Sequence, residues 1–359
     1  MLGCVRIALT HAYSWPEVRR GAERMVPDLA RALSGRGHDV TVITSTWRPL
    51  APQPWRVVRF ARRHADESRH EASFGRRALA HLVVKRYDAV HSLGPRDAGA
   101  SILAARVRRG RRTIYTNLGL PDRDWVSQQP WAATHERIVR RIDAYGCMSR
   151  FALDMLERDY NRRGVLTPGG VNLGEFVPAP RRVSTPTLLF SGAMGEPRKG
   201  VGLLLEALPL VARHVRDVRL WLSGPGDAAA MLDAASEEAR ARTEVLALGD
   251  AGDQPARYGQ AWATVLPSTN DSFGMALLES LACGTPIVAS SHAAPSELVS
   301  EGTGAVCAPD SAASIAEACV AAIELARQAT TVDRCRASAE PYDWNTGLAP
   351  VFERLYAGD

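Results

Sequence analysis

Short apolar, β-branched runs alternate with helix-like stretches along the whole chain. The run VRIAL at 5–9 is followed by apolar residues at helical spacing over 21–36, and the run VTVIT comes next at 40–44. The second half repeats this order at 187–192, 202–215 and 218–226. A strand that is followed by a helix and then by another strand is typical of a parallel sheet that is covered by helices. The pattern therefore predicts an α/β fold with doubly wound parallel sheets.

Two such halves follow one another, separated by a Pro-rich stretch without periodicity at 178–186. A chain of 359 residues is long enough for two domains, at about 150 residues each. We predict a first Rossmann-like domain over 1–176 and a second over 177–343, with a terminal helix over 344–359 that packs back on the first. Ligands of doubly wound sheets bind beyond the carboxyl ends of the strands. We therefore expect the two domains to face each other across a cleft that holds the site.

The segment 267–290, PSTNDSFGMALLESLACGTPIVAS, is the most informative one. Turn residues follow a strand, and an apolar helix is predicted to begin near Phe273 or Gly274, where unpaired amide groups favour an anion. Asp271 precedes this helix, and Glu279 lies eight residues further on among apolar residues. A carboxylate in such a place is costly unless it is paired, for instance with ribose hydroxyls. The alternative is that Asp271 caps the helix and Glu279 faces solvent.

A second loop, at 190–200, combines glycines with two cations. Arg198 and Lys199 stand just before Gly200, and Lys199 is one of only two lysines in the sequence. Cations beside flexible backbone at the start of a helix suit a diphosphate. The loop does not match a P-loop, because Val201 stands where Ser or Thr is required. The alternative is a solvated turn.

Two further features lie in the first half. Gly21 and Ala22 open a predicted helix, where small residues would let a phosphate or sugar approach the backbone. No G-x-G-x-x-G is present, which argues against a nicotinamide oxidoreductase. The triplet Asp122-Arg123-Asp124 could hold a divalent cation, but it lies in a Pro-flanked loop without a phosphate-type loop nearby. We therefore predict no metal site.

The charge is uneven. Residues 1–176 carry 30 cationic and 17 acidic side chains, a net charge of +13, whereas residues 177–359 carry 14 and 22, a net charge of −8. The basic half either faces an anionic partner or is a well-solvated arginine-rich surface. Six scattered cysteines and the lack of a long apolar run favour a reduced, cytoplasmic setting. Peripheral contact with the inner face of a membrane, through the basic half, stays open. We expect no nucleic-acid partner.

Together these segments resemble the retaining glycosyltransferases of family 4, whose GT-B fold has two Rossmann-like domains. The resemblance covers nearly the whole chain. The segment 267–290 is similar to the E-x7-E signature of the family followed by A-C-G-T-P, and GEPRKG at 195–200 looks closest to the phosphatidylinositol mannosyltransferase type. Further similar segments are Gly21-Ala22-Glu23, GHDVTV at 37–42, DAVH at 88–91 and PGGVN at 168–172.

The resemblance implies transfer of a hexosyl unit from a nucleotide-diphosphate sugar, bound by the second domain, to a hydroxyl acceptor on the first. Lys199 and Arg198 would neutralise the diphosphate, and Glu279 would bind the ribose hydroxyls. Asp271 would take the place of the first glutamate of the signature and bind sugar hydroxyls. The other implied donor-binding residues are Gly21, Ala22, Ser272, Phe273, Gly274 and Met275. Such enzymes retain the anomeric configuration, with the departing phosphate accepting the acceptor proton, and we expect no cofactor and no metal.

Three positions depart from the family pattern. Asp271 stands where Glu is usual, Ala193 where Arg is usual, and Asn117 near where a sugar-contacting His is usual. Asp271 and Asn117 are nevertheless the residues that we predict to be catalytic. These departures support the alternative that the chain binds a sugar nucleotide but has lost catalysis. The acceptor also stays open between an anionic lipid or glycan and a natural product such as an aminoglycoside-type antibiotic.

Overall fold

The computed structural model describes residues 3–18, 21–247 and 253–358. The chain divides into two compact units. Unit 1 comprises Met1–Gly170 and Trp344–Asp359, and unit 2 comprises Val171–Asp343. In the part that is described, each unit contains one parallel sheet, of seven strands in unit 1 and six in unit 2. The predicted α/β class with two doubly wound parallel sheets is confirmed.

The sheet of unit 1 has the strand order β3-β2-β1-β4-β5-β6-β7. Its strands are β1 (Arg6–Thr10), β2 (Asp39–Thr46), β3 (Arg56–Ala61), β4 (Ala89–Ser92), β5 (Arg112–Asn117), β6 (Ala144–Cys147) and β7 (Val165–Leu166). The central strands are buried on both faces, as in sheets with helices on each side. Because the chain adds strands first on one side of β1 and then on the other, the order reverses between β1 and β4. We call this place the switch point of unit 1.

Helices α1 to α6 connect these strands. Their bounds are α1 (Gly21–Gly35), α2 (Glu67–Val84), α3 (Pro95–Val107), α4 (Arg123–Ser127), α5 (Ala132–Arg141) and α6 (Arg150–Tyr160). Helix α1 begins at Gly21, as its apolar spacing predicts, and buries Met25, Leu29 and Leu33. Helix α2 begins after Asp66, whose carboxylate accepts a hydrogen bond from the amide of Arg69.

The sheet of unit 2 has the strand order β10-β9-β8-β11-β12-β13. Its strands are β8 (Thr187–Ser191), β9 (Arg219–Ser223), β10 (Thr243–Val245), β11 (Ala263–Leu266), β12 (Ile287–Ser290) and β13 (Gly304–Cys307). Its helices are α7 (Val201–Ala212), α8 (Ala228–Ala234), α9 (Glu237–Arg242), α10 (Asp253–Gln260), α11 (Met275–Ala282), α12 (Ala312–Ala326) and α13 (Thr331–Ala339). The order reverses between β8 and β11, which we call the switch point of unit 2.

The C-terminal segment belongs to unit 1. A π-helical turn at Trp344–Leu348 leads into α14 (Ala349–Ala357). On α14, Glu353 accepts hydrogen bonds from Arg36 Nε and Nη2 at 2.6 and 2.9 Å. The ring of Trp344 packs so closely against Gly170 that a Cβ there would lie 2.6 Å from it. Among the helices described, none has both the length and the apolarity needed to cross a bilayer.

Candidate active site

The loops that follow β8 and β11 meet at the switch point of unit 2. These strands are hydrogen-bonded neighbours and run parallel, so their carboxyl ends lie at the same edge of the sheet. The loop after β8 contains a 3-10 turn at Pro197–Lys199. The close approach of the two loops requires Gly200, which has a φ of +73° and whose Cβ would lie 2.6 Å from the carbonyl oxygen of Pro267. The fold therefore brings the two predicted donor-binding segments together.

Asp271 is the centre of an ion cluster at this edge. Its Oδ1 accepts hydrogen bonds from Arg198 Nη1 at 2.5 Å and from Lys199 Nζ at 2.8 Å. Its Oδ2 accepts from Lys199 Nζ at 2.8 Å and from Ser268 Oγ at 2.7 Å. The Asp271 side chain is buried. The family resemblance implies that Arg198 and Lys199 bind the diphosphate and that Asp271 binds the sugar, whereas the structure pairs these three residues with one another.

Electrostatics hold this cluster together. Burial by itself raises the pKa of Asp271, but Lys199, Ser268 and Arg198 together outweigh it, so this pKa lies below its ordinary value. Glu196 forms a further ion pair with Arg198, at 2.5 Å. The two cations are thus matched by two carboxylates. An anionic ligand that binds Arg198 and Lys199 would have to replace Asp271 as their partner.

Helix α11 begins beside the cluster, with Gly274 as its N-cap residue at a φ of +99°. Gly274 has no side chain that could cap the helix, and the Asp271 carboxylate accepts its hydrogen bonds from Arg198, Lys199 and Ser268 instead of from the first amides of α11. The alternative that Asp271 is the helix cap is therefore wrong. Ser272 and Met275 are half-buried at this end, and Phe273 is buried with its ring 5.7 Å from that of Tyr342. The first amides of α11 can receive an anion, because a helix leaves its N-terminal amide groups unpaired.

Glu279 lies on α11 and is buried, so the alternative that it faces solvent is wrong. Its neighbour is Tyr258 on α10, whose hydroxyl lies 3.1 Å from Ser191 Oγ. Burial raises the pKa of the Tyr258 phenol well above its ordinary value, and the Glu279 carboxylate raises it further. Tyr258 and Ser268 are residues that the sequence did not single out. The S-x-x-D spacing from Ser268 to Asp271 is the one signal that would have indicated a contact.

The remaining predicted site residues lie in unit 1. Gly21 and Ala22 form the first turn of α1. Asn117 ends β5 and is buried, with Nδ2 donating to Tyr145 Oη at 3.1 Å and Oδ1 accepting from the amide of Gly119 at 3.1 Å. Both ends of this amide therefore have partners within the fold.

Asp122, in the triplet Asp122-Arg123-Asp124, has a structural role. Asp122 is the N-cap residue of α4, and its carboxylate accepts a hydrogen bond from the amide of Trp125 at 2.7 Å. His91, within β4, is fully buried between Tyr356 Oη at 2.9 Å and Thr116 Oγ1 at 2.8 Å. Burial lowers the pKa of His91 to about 3. It is a hydrogen-bonded core histidine.

Comparison with known proteins finds similarity to glycosyltransferases along nearly the whole chain. The family model "Glycosyltransferase Family 4" matches residues 19–175, and "Glycosyl transferases group 1" matches residues 185–324. Phosphatidyl-myo-inositol mannosyltransferase of Mycobacterium tuberculosis is 30% identical over 375 aligned positions, which cover 98% of this chain and 96% of that protein. The chain belongs to glycosyltransferase family 4. The predicted family membership is confirmed.

A second relative agrees with this membership, and solved structures agree with the fold. The phosphatidyl-myo-inositol mannosyltransferase of Mycolicibacterium smegmatis is 28% identical, with 98% of this glycosyltransferase and 93% of that protein covered. Sucrose-phosphate synthase from Thermosynechococcus elongatus superposes with a TM-score of 0.81 at 20% identity, covering 98% of each chain. Anabaena HepE in complex with UDP and glucose gives 0.76 at 16% identity, covering 98% of this chain and all of that one. At these identities the superpositions speak for the fold alone, and the predicted GT-B fold is confirmed.

Proposed function

We propose that this glycosyltransferase moves a hexosyl unit from a nucleotide-diphosphate sugar to a hydroxyl acceptor with retention of anomeric configuration. The observation that supports it best is the Arg198–Lys199–Asp271 cluster at the switch point of unit 2, beside the N-terminus of α11. The two cations and the dipole of α11 both favour the binding of a diphosphate at this place. The relatives named phosphatidyl-myo-inositol mannosyltransferase support the transfer of a hexosyl unit.

In this proposal the diphosphate replaces Asp271 as the partner of Lys199 and Arg198. Glu279 accepts hydrogen bonds from the ribose hydroxyls, since a buried carboxylate is favourable only when donors surround it. Residues 272–275 present backbone amides to the sugar and phosphates. Asp271, once released, binds sugar hydroxyls. The cluster thus gives each group a role that follows from its charge.

The chemical step needs stabilisation where charge develops. When the bond between the sugar and the diphosphate breaks, negative charge grows on the phosphate oxygens, where Lys199, Arg198 and the start of α11 act. The departing phosphate takes the proton of the acceptor hydroxyl on the same face of the sugar, which retains the configuration. Because two cations and a helix N-terminus supply the positive field, we propose that transfer needs no divalent metal.

We further propose that the acceptor binds to unit 1, that Gly21 and Ala22 contact the donor, and that Asn117 contributes to catalysis. The enzyme is proposed to act in the cytoplasm, with peripheral contact at the inner face of the membrane. A second candidate function is binding of a sugar nucleotide without turnover. The contacts of Asn117 favour it, because both ends of its amide are engaged by Tyr145 and Gly119.

The test combines calorimetry with a transfer assay. The purified chain is titrated with GDP, UDP and ADP, and is then incubated with GDP-mannose or UDP-glucose, EDTA and a panel of hydroxyl acceptors, with product detection by mass spectrometry. We expect micromolar binding of one nucleotide, and transfer in EDTA to give an α-linked product from an α-linked donor. Failure to bind any nucleotide would refute the proposal. Binding without transfer would favour the second candidate, and loss of transfer in EDTA with recovery in Mg²⁺ or Mn²⁺ would refute metal independence.

A further inference from the structure

Asn117 is the last residue of β5, and a series of buried hydrogen bonds extends from its side chain into unit 1. Its Nδ2 donates to Tyr145 Oη at 3.1 Å, and Tyr145 Oη lies 2.7 Å from His135 Nε2. The three side chains are buried and come from β5, β6 and α5. We call Asn117, Tyr145 and His135 the buried triad. Neither Tyr145 nor His135 has a role in the proposed function.

The orientation of the Asn117 amide is fixed at its oxygen. Oδ1 accepts a hydrogen bond from the backbone amide of Gly119 at 3.1 Å, and the Tyr115 hydroxyl donates to it at 3.4 Å. A backbone N–H can only donate, so the side-chain oxygen and not the NH₂ group must face Gly119. Nδ2 is therefore the atom that faces Tyr145, and the oxygen of Tyr145 accepts one of its hydrogens.

The same reasoning fixes the hydroxyl of Tyr145. Its oxygen accepts from Asn117, so its own proton needs another acceptor, and the described structure offers His135 Nε2 at 2.7 Å. Burial lowers the pKa of His135 to about 4, so the ring is neutral at pH 7 and one of its nitrogens can accept. Burial also raises the pKa of Tyr145 well above its ordinary value, so the hydroxyl keeps its proton. The hydrogen bonds thus run in one direction, from Asn117 through Tyr145 to His135.

This direction carries a penalty at the far end of the buried triad. If Nε2 of His135 accepts, the proton of the neutral imidazole lies on Nδ1. Nδ1 of His135 is buried and has no hydrogen-bond partner among the described residues. A buried N–H without a partner destabilises a fold, and such groups are rare in proteins. An apolar side chain would avoid this penalty, which argues that the histidine serves the orientation of Asn117 rather than stability.

The buried triad fixes two features at the carboxyl end of β5. The hydrogen bond from the Gly119 amide to Asn117 Oδ1 closes a turn at the start of the loop that follows β5. Asn117 Nδ2 carries a second hydrogen, for which the described structure shows no acceptor. Ligands of doubly wound sheets bind beyond the carboxyl ends of the strands. This second N–H and the loop therefore lie at the edge of the sheet where an acceptor substrate of unit 1 would bind.

We propose that Tyr145 and His135 are positioning residues for the transfer reaction. They orient the Asn117 amide so that its second N–H donates a hydrogen bond to an oxygen of the acceptor substrate. The inference rests on the proposed function, in which the acceptor binds to unit 1 and Asn117 contributes to catalysis. It adds two residues to that reaction and states how they act, through the direction of two buried hydrogen bonds.

The first test removes one polar group of the buried triad at a time. Tyr145→Phe removes the hydroxyl, and His135→Leu removes the nitrogen that accepts from it. Transfer is measured with GDP-mannose or UDP-glucose and the hydroxyl acceptor that gives product with the unaltered chain. We expect each variant to lower kcat about tenfold to a hundredfold, since a displacement of about 1 Å at a reacting group has an effect of this size. Nucleotide affinity should stay within about twofold, because the cluster in unit 2 is distant and untouched.

Further variants separate positioning from a loss of stability. His135→Gln offers a side-chain oxygen as acceptor and should keep kcat within about threefold of the unaltered chain. His81 and Tyr87 form a second histidine–tyrosine pair in unit 1, with His81 Nε2 2.9 Å from Tyr87 Oη, and no hydrogen bond in the described structure links them to Asn117. His81→Leu and Tyr87→Phe are therefore matched controls and should leave kcat within about twofold. Equal losses in the controls and in the buried triad, or in His135→Gln and His135→Leu, would overturn the proposal.

The second test uses the unaltered chain and does not depend on how the variants fold. The full chain is labelled with ¹⁵N-histidine, and the nitrogen chemical shifts report which ring nitrogen carries the proton. The signals of His135 are assigned by their nuclear Overhauser contacts to Tyr145, whose ring centroid lies 5.8 Å from that of His135. We expect the proton on Nδ1, with Nε2 as the acceptor. A proton on Nε2 would overturn the proposal.

The two tests also separate this inference from the proposed function. If the unaltered chain transfers the sugar and Tyr145→Phe transfers it equally fast, the inference is overturned and the proposed function stands. If the unaltered chain transfers nothing, the proposed function fails, and the position of the proton on His135 still decides whether the buried triad orients Asn117.

Discussion

Replacement of Asp271 by Asn tests how the ion cluster works. This carboxylate accepts hydrogen bonds from Lys199, Arg198 and Ser268. An amide keeps one acceptor oxygen but turns an NH₂ group toward two cations, which have no acceptor to offer. Removal of one partner from a fully buried ion pair costs about 3–5 kcal/mol. The Arg198 side chain is 40% exposed and that of Lys199 15%, so solvent screening reduces this loss to about 1–2 kcal/mol.

A nucleoside diphosphate should restore what the substitution removes, because its phosphates replace the lost negative charge. Without ligand, the variant should therefore unfold about 1–2 kcal/mol more easily. If binding recovers this same free energy of about 1–2 kcal/mol, the affinity of the variant for the sugar-free nucleotide should rise roughly fivefold to thirtyfold. Transfer should nevertheless fall at least about tenfold, because the sugar hydroxyls lose a charged acceptor. Asp271 would then orient Lys199 and Arg198 until the diphosphate of the donor replaces it as their partner.

Three measurements check this expectation: urea unfolding, nucleotide calorimetry and the transfer rate. Asp227→Asn is a matched control in the same unit, since Asp227 caps α8 and an amide oxygen can still accept the bond from the amide of Ala230. It should change none of the three. If Asp271→Asn binds the nucleotide no more tightly than the unaltered chain, the electrostatic reasoning is refuted. If it also keeps full transfer, Asp271 has no role in the reaction.

The remaining predictions concern other charges. Lys199→Ala should weaken nucleotide binding about tenfold or more, because it removes a cation that binds the diphosphate. Lys85→Ala removes the other lysine, which is exposed, and should leave nucleotide binding unchanged. Equal effects of the two substitutions would mean that Lys199 acts only through the net charge of the protein. Glu279→Ala should weaken nucleotide binding about tenfold to a hundredfold while the far-ultraviolet circular dichroism stays native, and an unchanged dissociation constant would contradict the ribose assignment. The hydrogen bonds from Arg36 lower the pKa of the Glu353 carboxyl from its ordinary value of 4.5 to about 2. This interaction therefore stabilises the folded protein fully above pH 4.5, and the stabilisation is lost as the pH falls toward 2. Glu353→Gln should therefore unfold about 1 kcal/mol more easily at pH 7, with a difference that shrinks below pH 4.5, and a pH-independent difference in urea unfolding would contradict this.

Local pattern was enough for the fold class. Helix α1 begins at Gly21 and β1 covers Arg6–Thr10, close to where apolar spacing and β-branched runs place them. These signals are local, because a helix or strand shows its buried face as a period of 3.6 or 2 in the sequence. The order of such elements leads to parallel sheets, since a right-handed strand–helix–strand crossover returns the chain in the same direction. The family followed from motifs that are contiguous in the chain.

Local sequence patterns could not predict which side chains contact one another. The sequence placed Asp271 before a helix, where capping was a serious alternative, but its partners Arg198 and Lys199 lie more than 70 positions away. Only the pairing of β8 with β11 brings these segments to one edge. The same holds for Asn117, whose contact with Tyr145 depends on the pairing of β5 with β6.

The acidic surroundings of His11 show the difference most clearly. The sequence determined that this half is basic, a sum over all its charges that is independent of the fold. Only the tertiary structure brought Glu23 of α1 to 3.7 Å from the His11 ring and the buried Asp97 of α3 to the hydroxyl of Thr10, at the switch point of unit 1. Electrostatic interaction depends on distance in space and on burial, and neither can be read from the order of residues. The sequence therefore determined the elements and the net charge, and the tertiary structure decided which charges meet.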